Sequence, residues 1–552
     1  MVTVGPVCSR RTLMNFLLLL TASAIFACIA GSRLSRRLGI PTLFIFIALG
    51  MLFGSDGIFK IEFADYHLAE QICSAALVII MFYGGFGTKW SAARPVAVQS
   101  VLLSTLGVLI TAGLTGFFCY FFLNLPLLEG LLIGAVLGST DAASVFSILR
   151  SQRLNLKYGT ASMLEIESGS NDPFAYMLTI VVLSAMGGSV SLSQIVWSVF
   201  SQIFIGLAAG SLLAWVAGSI MKRVHFGENG LDSVFLSGVA LASYAIPSLL
   251  GGNGYLSAYL AGILLGNQSI PNKKGLVNFF DALNGMMQML IFFLLGLLVF
   301  PSRLGTYFLP ALLTALFLTF FARPAAVFLL LAPFKAPFRQ KVLISWAGLR
   351  GAASIVFAIM AAVSPYYGRE TVFHIVFCVV LLSILLQGSL LPLAASKTHM
   401  LDSKENVLKT FTDYSEETGV QFICLEISPG HPWINCQIQD VSIAPDILIA
   451  AVLRDQKAIM PRGDTCLKAG DSLIVAAKGY HGTADVELSE VEVTHGSRLA
   501  GMKLKEADIR KNSLVVLIQR QHHELIPDGD TILCPDDILV LYTCPSFSEK
   551  GA

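Results

Sequence analysis

Glu165-Ile166-Glu167-Ser168-Gly169-Ser170-Asn171-Asp172-Pro173 runs almost directly into the apolar stretch 177–185. Two Glu, one Asp, one Asn and two Ser thus occupy eight residues beside a segment suited to hydrocarbon. A charge at the centre of a membrane helix costs about 3 kcal/mol on insertion scales, so such a cluster marks a pathway or a partner. On a helix, residues four apart share a face. Ser168 therefore stacks on Asp172, and Glu167 on Asn171. A hydroxyl above a carboxylate suits a hard cation, which prefers oxygen ligands. Pro173 removes a backbone donor and frees a carbonyl one turn earlier. Polar glue between helices is the plain alternative for a single Ser or Asn; a cluster with three ionisable groups exceeds what it needs.

The surroundings fit a membrane setting. The 552 residues are 55% hydrophobic and only 13% charged, about half the charged fraction of a soluble domain. Long apolar runs fill 13–396, and an ordinary charged tail follows. A net charge of +1 gives no basic field for nucleic acid. The ten cysteines are scattered without CxxC pairs, His is sparse and HExxH is absent, so neither a metal enzyme nor a cofactor is expected. Arg10 and Arg11 before 13–30 imitate a signal peptide, but the length and the following Arg33-Leu34-Ser35-Arg36-Arg37 favour a retained first helix.

At about 20 apolar residues per crossing, thirteen spans are predicted: 13–30, 38–54, 69–86, 96–122, 127–149, 160–186, 194–221, 232–249, 253–266, 283–300, 306–332, 340–363 and 371–396. Alternate loops carry Arg33, Arg36, Arg37, Lys89, Arg94, Arg150, Arg153, Lys157, Lys222, Arg223, Lys273, Lys274, Lys335, Arg339 and Lys341. The opposite side holds Arg10, Arg11, Lys60, Arg303 and Arg369. The positive-inside rule puts the N-terminus outside and the C-terminal tail in the cytoplasm.

Two further intramembrane charges sit in related frames. Gly138-Ser139-Thr140-Asp141-Ala142-Ala143-Ser144 and Gly348-Leu349-Arg350-Gly351-Ala352-Ala353-Ser354 share Gly-x-x-x-Ala-Ala-Ser, 210 residues apart. They fall on spans of opposite predicted direction, as an inverted repeat requires. Small residues suit interrupted helices crossing near the midplane. There Asp141 caps a half-helix N-terminus, and Arg350 neutralises exposed C-terminal carbonyls.

Glu-Ser-x-x-Asn-Asp, preceded by Ser-Thr-Asp-Ala-Ala and followed by Gly-Leu-Arg-Gly-Ala, resembles the NhaP-type cation:proton antiporters, above all the potassium/proton branch linked to cell-volume regulation. The likeness covers 13–396 in order. It implies an all-α polytopic membrane protein with thirteen helices, crossed broken helices and a homodimer. It also implies Asp172 as the shared proton and cation carboxylate, Ser168 and the Thr140 backbone as further ligands of the transported ion, and Asn171 as support where electrogenic relatives carry a second Asp. Glu167 is implied to pair with Arg350. One departure is Met81-Phe82-Tyr83-Gly84-Gly85: relatives commonly carry an acid where Tyr83 stands, which leaves Na+ against K+ open.

The tail repeats itself. Arg454-Asp455, Met460-Pro461, Gly463-Asp464-Thr465, Leu467 and Asp471 recur 66 residues later as Arg520-Gln521, Ile526-Pro527, Gly529-Asp530-Thr531, Leu533 and Asp537. Alternating β-branched residues between turn signals predict two small α+β domains, 417–482 and 483–545, behind a membrane domain at 1–398 and a linker at 399–416. The pattern resembles the TrkA-C (RCK-C) regulatory domain, although Pro535-Asp536 replaces Ala469-Gly470 in the second unit. That likeness implies a sensor of a small ligand, with cyclic di-AMP one candidate; a purely structural dimerisation module is the alternative. No GxGxxG follows a strand, so no dinucleotide domain is expected.

A carboxylate kept from water favours its protonated form, and one negative site admits one positive occupant. Exchange of one monovalent cation for one proton across the inner membrane is the expected activity. A potassium channel would need a filter such as TVGYG, which is absent. A membrane receptor would leave the Glu167–Asp172 cluster without a purpose.

Overall fold

In hydrocarbon the backbone has no partner but itself, so apolar runs become helices. The computed structural model describes residues 6–38, 41–151, 156–188, 191–224 and 230–401; in the tail it describes 421–427, 431, 433–441, 447–454, 457–477, 487–493, 497, 499–507, 513–520, 523–525, 527, 529, 531–535 and 537–543. Arg153, the predicted linker from 402 onward, and the repeat residues Asp455, Gln521, Ile526, Asp530 and Asp536 lie outside the described residues. The chain divides into two compact units, Met1–Glu416 and Glu417–Ala552.

In the first unit the principal helices are α1 Pro6–Leu38, α2 Thr42–Phe53, α3 Tyr66–Gly87, α4 Arg94–Phe122, α5 Leu127–Val136, α6 Ala142–Ser151, α7 Thr160–Met186, α8 Leu192–Arg223, α9 Leu231–Leu249, α10 Gly254–Gly266, α11 Lys273–Leu298, α12 Pro301–Leu331, α13 Phe338–Trp346, α14 Ala352–Val363 and α15 Thr371–Lys397. Each of the thirteen predicted segments overlaps at least one of these helices, the fifth and twelfth with a break inside. Among the described residues, seven helices are long and apolar enough to cross a membrane (α3, α4, α8, α9, α11, α12 and α15), and four more are shorter apolar helices. Helix α11 starts ten residues before the predicted 283. Lys273, Lys274 and Asp281 lower the hydropathy of its first turns, so composition placed the boundary too late.

Small residues let the helices approach. Gly206, Gly210, Ala214, Ala217 and Gly218 form the buried stripe of α8, and Gly206 and Gly210 lie against Asn253 and Ser257 of the α9–α10 region. Its other face exposes Trp197, Phe200, Phe204 and Trp215. Close packing at small residues with aromatics turned outward is how helices associate in lipid, which is as apolar as they are. Among the described residues, three helices contain π-turns, at Leu103–Gly107, Leu318–Ala322 and Ser383–Gly388.

The tail is a tandem sheet. β1 Gln421–Glu426, β2 Ile447–Arg454, β3 Lys457–Ile459 and β4 Ser472–Ala477 form an antiparallel sheet of order β1-β4-β2-β3. β5 Glu487–Glu492, β6 Ser513–Arg520, β7 His523–Leu525 and β8 Ile538–Thr543 repeat it as β5-β8-β6-β7. The bulge repeats too, at Ile449/Ala451 and Val515/Leu517. Among the described residues the helical part of each unit is a 3-10 turn, Ile438–Asp440 or Leu504–Glu506.

The repeated Arg and Asp are the polar hub of each sheet. Arg454 grips Asp471 through Nε and Nη2 at 2.7 Å each, while Nη2 also donates to the Cys466 carbonyl at 2.8 Å. Arg520 does the same with Asp537 and the Ile532 carbonyl. Both Asp side chains are fully buried. Hydrogen bonds from Arg454 hold the Asp471 carboxyl below its usual range, against the opposing effect of burial, and Arg520 acts likewise on Asp537. A carboxyl depressed in the fold stabilises it above the unfolded value, about 3.9, and that contribution is lost as pH falls through the folded value. Thermal melts of a 417–552 fragment should therefore decline below about pH 4. Asp471→Asn should cost about 2 kcal/mol near neutrality, the scale of a charged hydrogen bond, and flatten that acid decline. An unchanged midpoint at pH 7 would reject the hub.

Candidate functional site

The fifth and twelfth predicted spans are each broken. Helix α5 ends at Val136 and α6 starts at Ala142; α13 ends at Trp346 and α14 starts at Ala352. The two breaks touch, with the Asp141 amide donating to the Leu349 carbonyl at 2.7 Å. Gly351 lies so close to the Asp141 carboxylate that a Cβ there would collide with it. The glycine of the second frame thus makes room for the acid of the first. Asp141 caps α6, accepting from the Ser144 amide at 3.2 Å and from the Ser144 hydroxyl, as an N-cap does.

Helix α7 passes the breaks with its polar cluster turned to them. Asp172 is 5% exposed and accepts from the Ser139 hydroxyl. Asn171 is fully buried and holds Thr140 twice. Its Nδ2 donates to Thr140 Oγ1 at 2.5 Å, and its Oδ1 accepts from the Thr140 amide at 3.3 Å. The Ser168 hydroxyl donates to the Thr140 carbonyl at 2.7 Å. From the other break, Arg350 Nη1 donates to the Ser139 carbonyl at 2.7 Å, and its amide donates to Ser383 Oγ at 3.1 Å within a π-turn. Arg350 thus satisfies a carbonyl left over where α5 stops.

A cavity of about 30 Å³ opens between these groups. That exceeds what one water needs and is far too small for a hydrated organic solute. Its wall includes Ser139, Thr140, Asp141 and Asp172, with Gln288 of α11 and Met81 of α3. Of the predicted ligands, Asp172 and Thr140 line the cavity. Ser168 and Asn171 do not; they fix Thr140 from behind.

The pairing of Glu167 with Arg350 needs correction. Glu167 Oε1 lies 2.5 Å from Arg323 Nη1, and the two side chains are 1% and 3% exposed. Arg323 follows the π-turn of α12 directly and passes Gly348, where a Cβ would meet its Nε at 2.8 Å. The close ion-pair partner of Glu167 therefore comes from a third element, while Arg350 bonds the broken backbone and reaches Glu167 only electrostatically. An arginine inside the predicted span 306–332 was a visible signal for this. Ser139 was within the quoted frame, and Gln288 had no signal in the sequence.

Two helix breaks in contact beside the buried Asp172, with Asp141 and Arg350 at the breaks, are an arrangement suited to an ion carrier. The chain belongs to the family described as Sodium/hydrogen exchanger, transmembrane, which matches residues 23–397. The TrkA-C domain matches 425–479 and 488–546. The K(+)/H(+) antiporter NhaP2 of Shewanella sp. strain MR-4 is 37% identical over 450 residues, covering 80% of this chain and 78% of that one. The K(+)/H(+) antiporter NhaP of Alkalimonas amylolytica is 34% identical over 84% of this chain and 81% of its own. The solved sodium proton antiporter MjNhaP1 of Methanocaldococcus jannaschii aligns with a TM-score of 0.60 at 27% identity, covering 68% of this chain and 99% of that one.

Proposed function

We propose that this cation:proton antiporter exchanges K+, in preference to Na+, for H+ in the inner membrane, one for one and without net charge, at Asp172. The observation that carries the site is the buried Asp172 carboxylate on a cavity of single-ion size between two helix breaks, where the other carboxylate on the wall, Asp141, is committed to capping α6. Asp172 supplies the charge and Thr140 a hydroxyl or carbonyl oxygen. Asn171 holds Thr140 in place and adds no second charge, which supports electroneutrality. The names of the relatives at 37% and 34% identity support K+. The distribution of basic loops supports a cytoplasmic tail. We assign that tail, with its two TrkA-C units, a ligand-sensing role in a homodimer, with cyclic di-AMP the first ligand to test.

A proton and a cation that compete for one carboxylate exclude each other. Alternating access by rocking of one bundle against another then yields exchange. Dequenching of a pH-sensitive dye in inside-out vesicles should follow added K+, and Na+ more weakly. The half-saturating K+ concentration should rise as pH falls, by up to about tenfold per pH unit once the protonated form dominates. Flux that drives a current in proteoliposomes would overturn electroneutrality, and failure of both cations would overturn exchange.

A further inference from the structure

Helix α11 carries a carboxylate that the exchange site does not use. Asp281 lies eight residues from Lys273, so it stands about 12 Å along the helix. It is exposed, yet it accepts a hydrogen bond from the buried Tyr83 hydroxyl of α3 at 2.7 Å. Asp281, Asn284, Gln288 and Phe292 are spaced three, four and four apart and so form one stripe. Gln288 and Phe292 are part of the wall of the Asp172 cavity, and Gln288 Nε2 reaches Asn284 Oδ1 at 3.5 Å. Helix α3 runs beside this stripe: Leu77, Ile80 and Met81 line the same cavity, with Tyr83 less than a turn beyond Met81.

The opposite face of α11 exposes Phe279 and Met286. At 100° per residue, they point about 160° away from Asp281 and Gln288. The apolar residues suit lipid. A charged carboxylate about 12 Å into a spanning helix does not, and such groups face water-filled openings. The exposed Asp281 therefore belongs to an aqueous approach, at the end of the bundle where α3 finishes near Lys89 and α11 begins at Lys273.

We propose that Asp281, held in place by Tyr83, collects the transported cation on the cytoplasmic side and passes it along Asn284 and Gln288 to the Asp172 cavity. This rests on the exchange reading above. Asp281 positions and concentrates the ion; it takes no part in the exchange of occupants at Asp172. Its effect is on how often the cavity fills and leaves the saturated rate alone.

In inside-out vesicles, Asp281→Asn should raise the half-saturating K+ concentration about three- to tenfold, the scale of local ion focusing by a charge, with the saturated rate unchanged. Asp281→Glu should restore the value, since it restores the charge. Raising ionic strength with choline chloride should shrink the difference between the unmodified chain and Asp281→Asn, because screening removes the attraction. Tyr83→Phe should give a smaller rise. A half-saturating concentration that does not move in Asp281→Asn, a fall in saturated rate alone, or no rescue by Asp281→Glu would overturn the proposal and leave Asp281 as a packing group. If the unmodified chain exchanges, Asp172→Asn is dead and Asp281→Asn is normal, this proposal fails while the exchange site stands. If the unmodified chain does not exchange, both fail.

Discussion

Asp172→Asn should reduce cation-driven proton flux to that of vesicles lacking the protein, with normal amounts of protein in the membrane. Asn keeps the shape of Asp and still accepts from the Ser139 hydroxyl, so the crossed breaks stay packed. What it loses is the charge. A neutral amide neither releases a proton nor balances a dehydrated monovalent ion, and a cation in low dielectric without a counter-charge is strongly disfavoured. Binding and protonation should vanish together, because the proposed mechanism puts both on one group. Asp172→Glu offers the contrast. It keeps the charge but pushes the oxygens about 1.5 Å further into a cavity of about 30 Å³, so slow exchange with altered preference between K+ and Na+ is expected. An active Asp172→Asn transporter would reject the site outright.

The largest loss of stability should come from Glu167→Gln. Removing one member of a buried ion pair costs about 3–5 kcal/mol, because the partner stays charged and dry. The environment of Glu167 makes the two single changes unequal. Arg350 lies within electrostatic reach of both Glu167 and Arg323. Glu167→Gln leaves two buried guanidinium groups without an anion. Arg323→Gln leaves Glu167 with Arg350 still near. Melting of the detergent-purified protein should therefore fall further for Glu167→Gln than for Arg323→Gln. The double change Glu167→Leu with Arg323→Met should recover much of the loss, since apolar groups of similar volume replace buried pairs at little cost. Equal losses for the two single changes would show that Arg350 takes no part. A double variant as unstable as Glu167→Gln would point to packing, not charge.

These two residues are five apart on α7 and have different tasks. Asp172 lines a cavity and is the group proposed to change its occupant. Glu167 is sealed against Arg323 and keeps its partner. In the proposed mechanism the helix presents one carboxylate to the transported ion; the other fixes it against α12, whose π-turn delivers Arg323. Ser168 and Asn171 lie between them and hold the Thr140 segment, so the unwound backbone keeps its oxygen atoms in place without a helix of its own.

The helices, the polar cluster on α7, the paired frames at 138–144 and 348–354 and the 66-residue tail repeat were legible in the sequence. Each depends on local chemistry: the transfer of apolar side chains to hydrocarbon, the cost of a charge in that setting, and the turn residues that end a strand. Contacts between distant segments were not. That Arg323 answers Glu167, that Ser139 donates to Asp172 and that Tyr83 meets Asp281 depends on which helix lies against which. Many helix arrangements satisfy the same hydrophobic pattern, and only tertiary packing brings residues 156 and 198 positions apart within hydrogen-bonding distance.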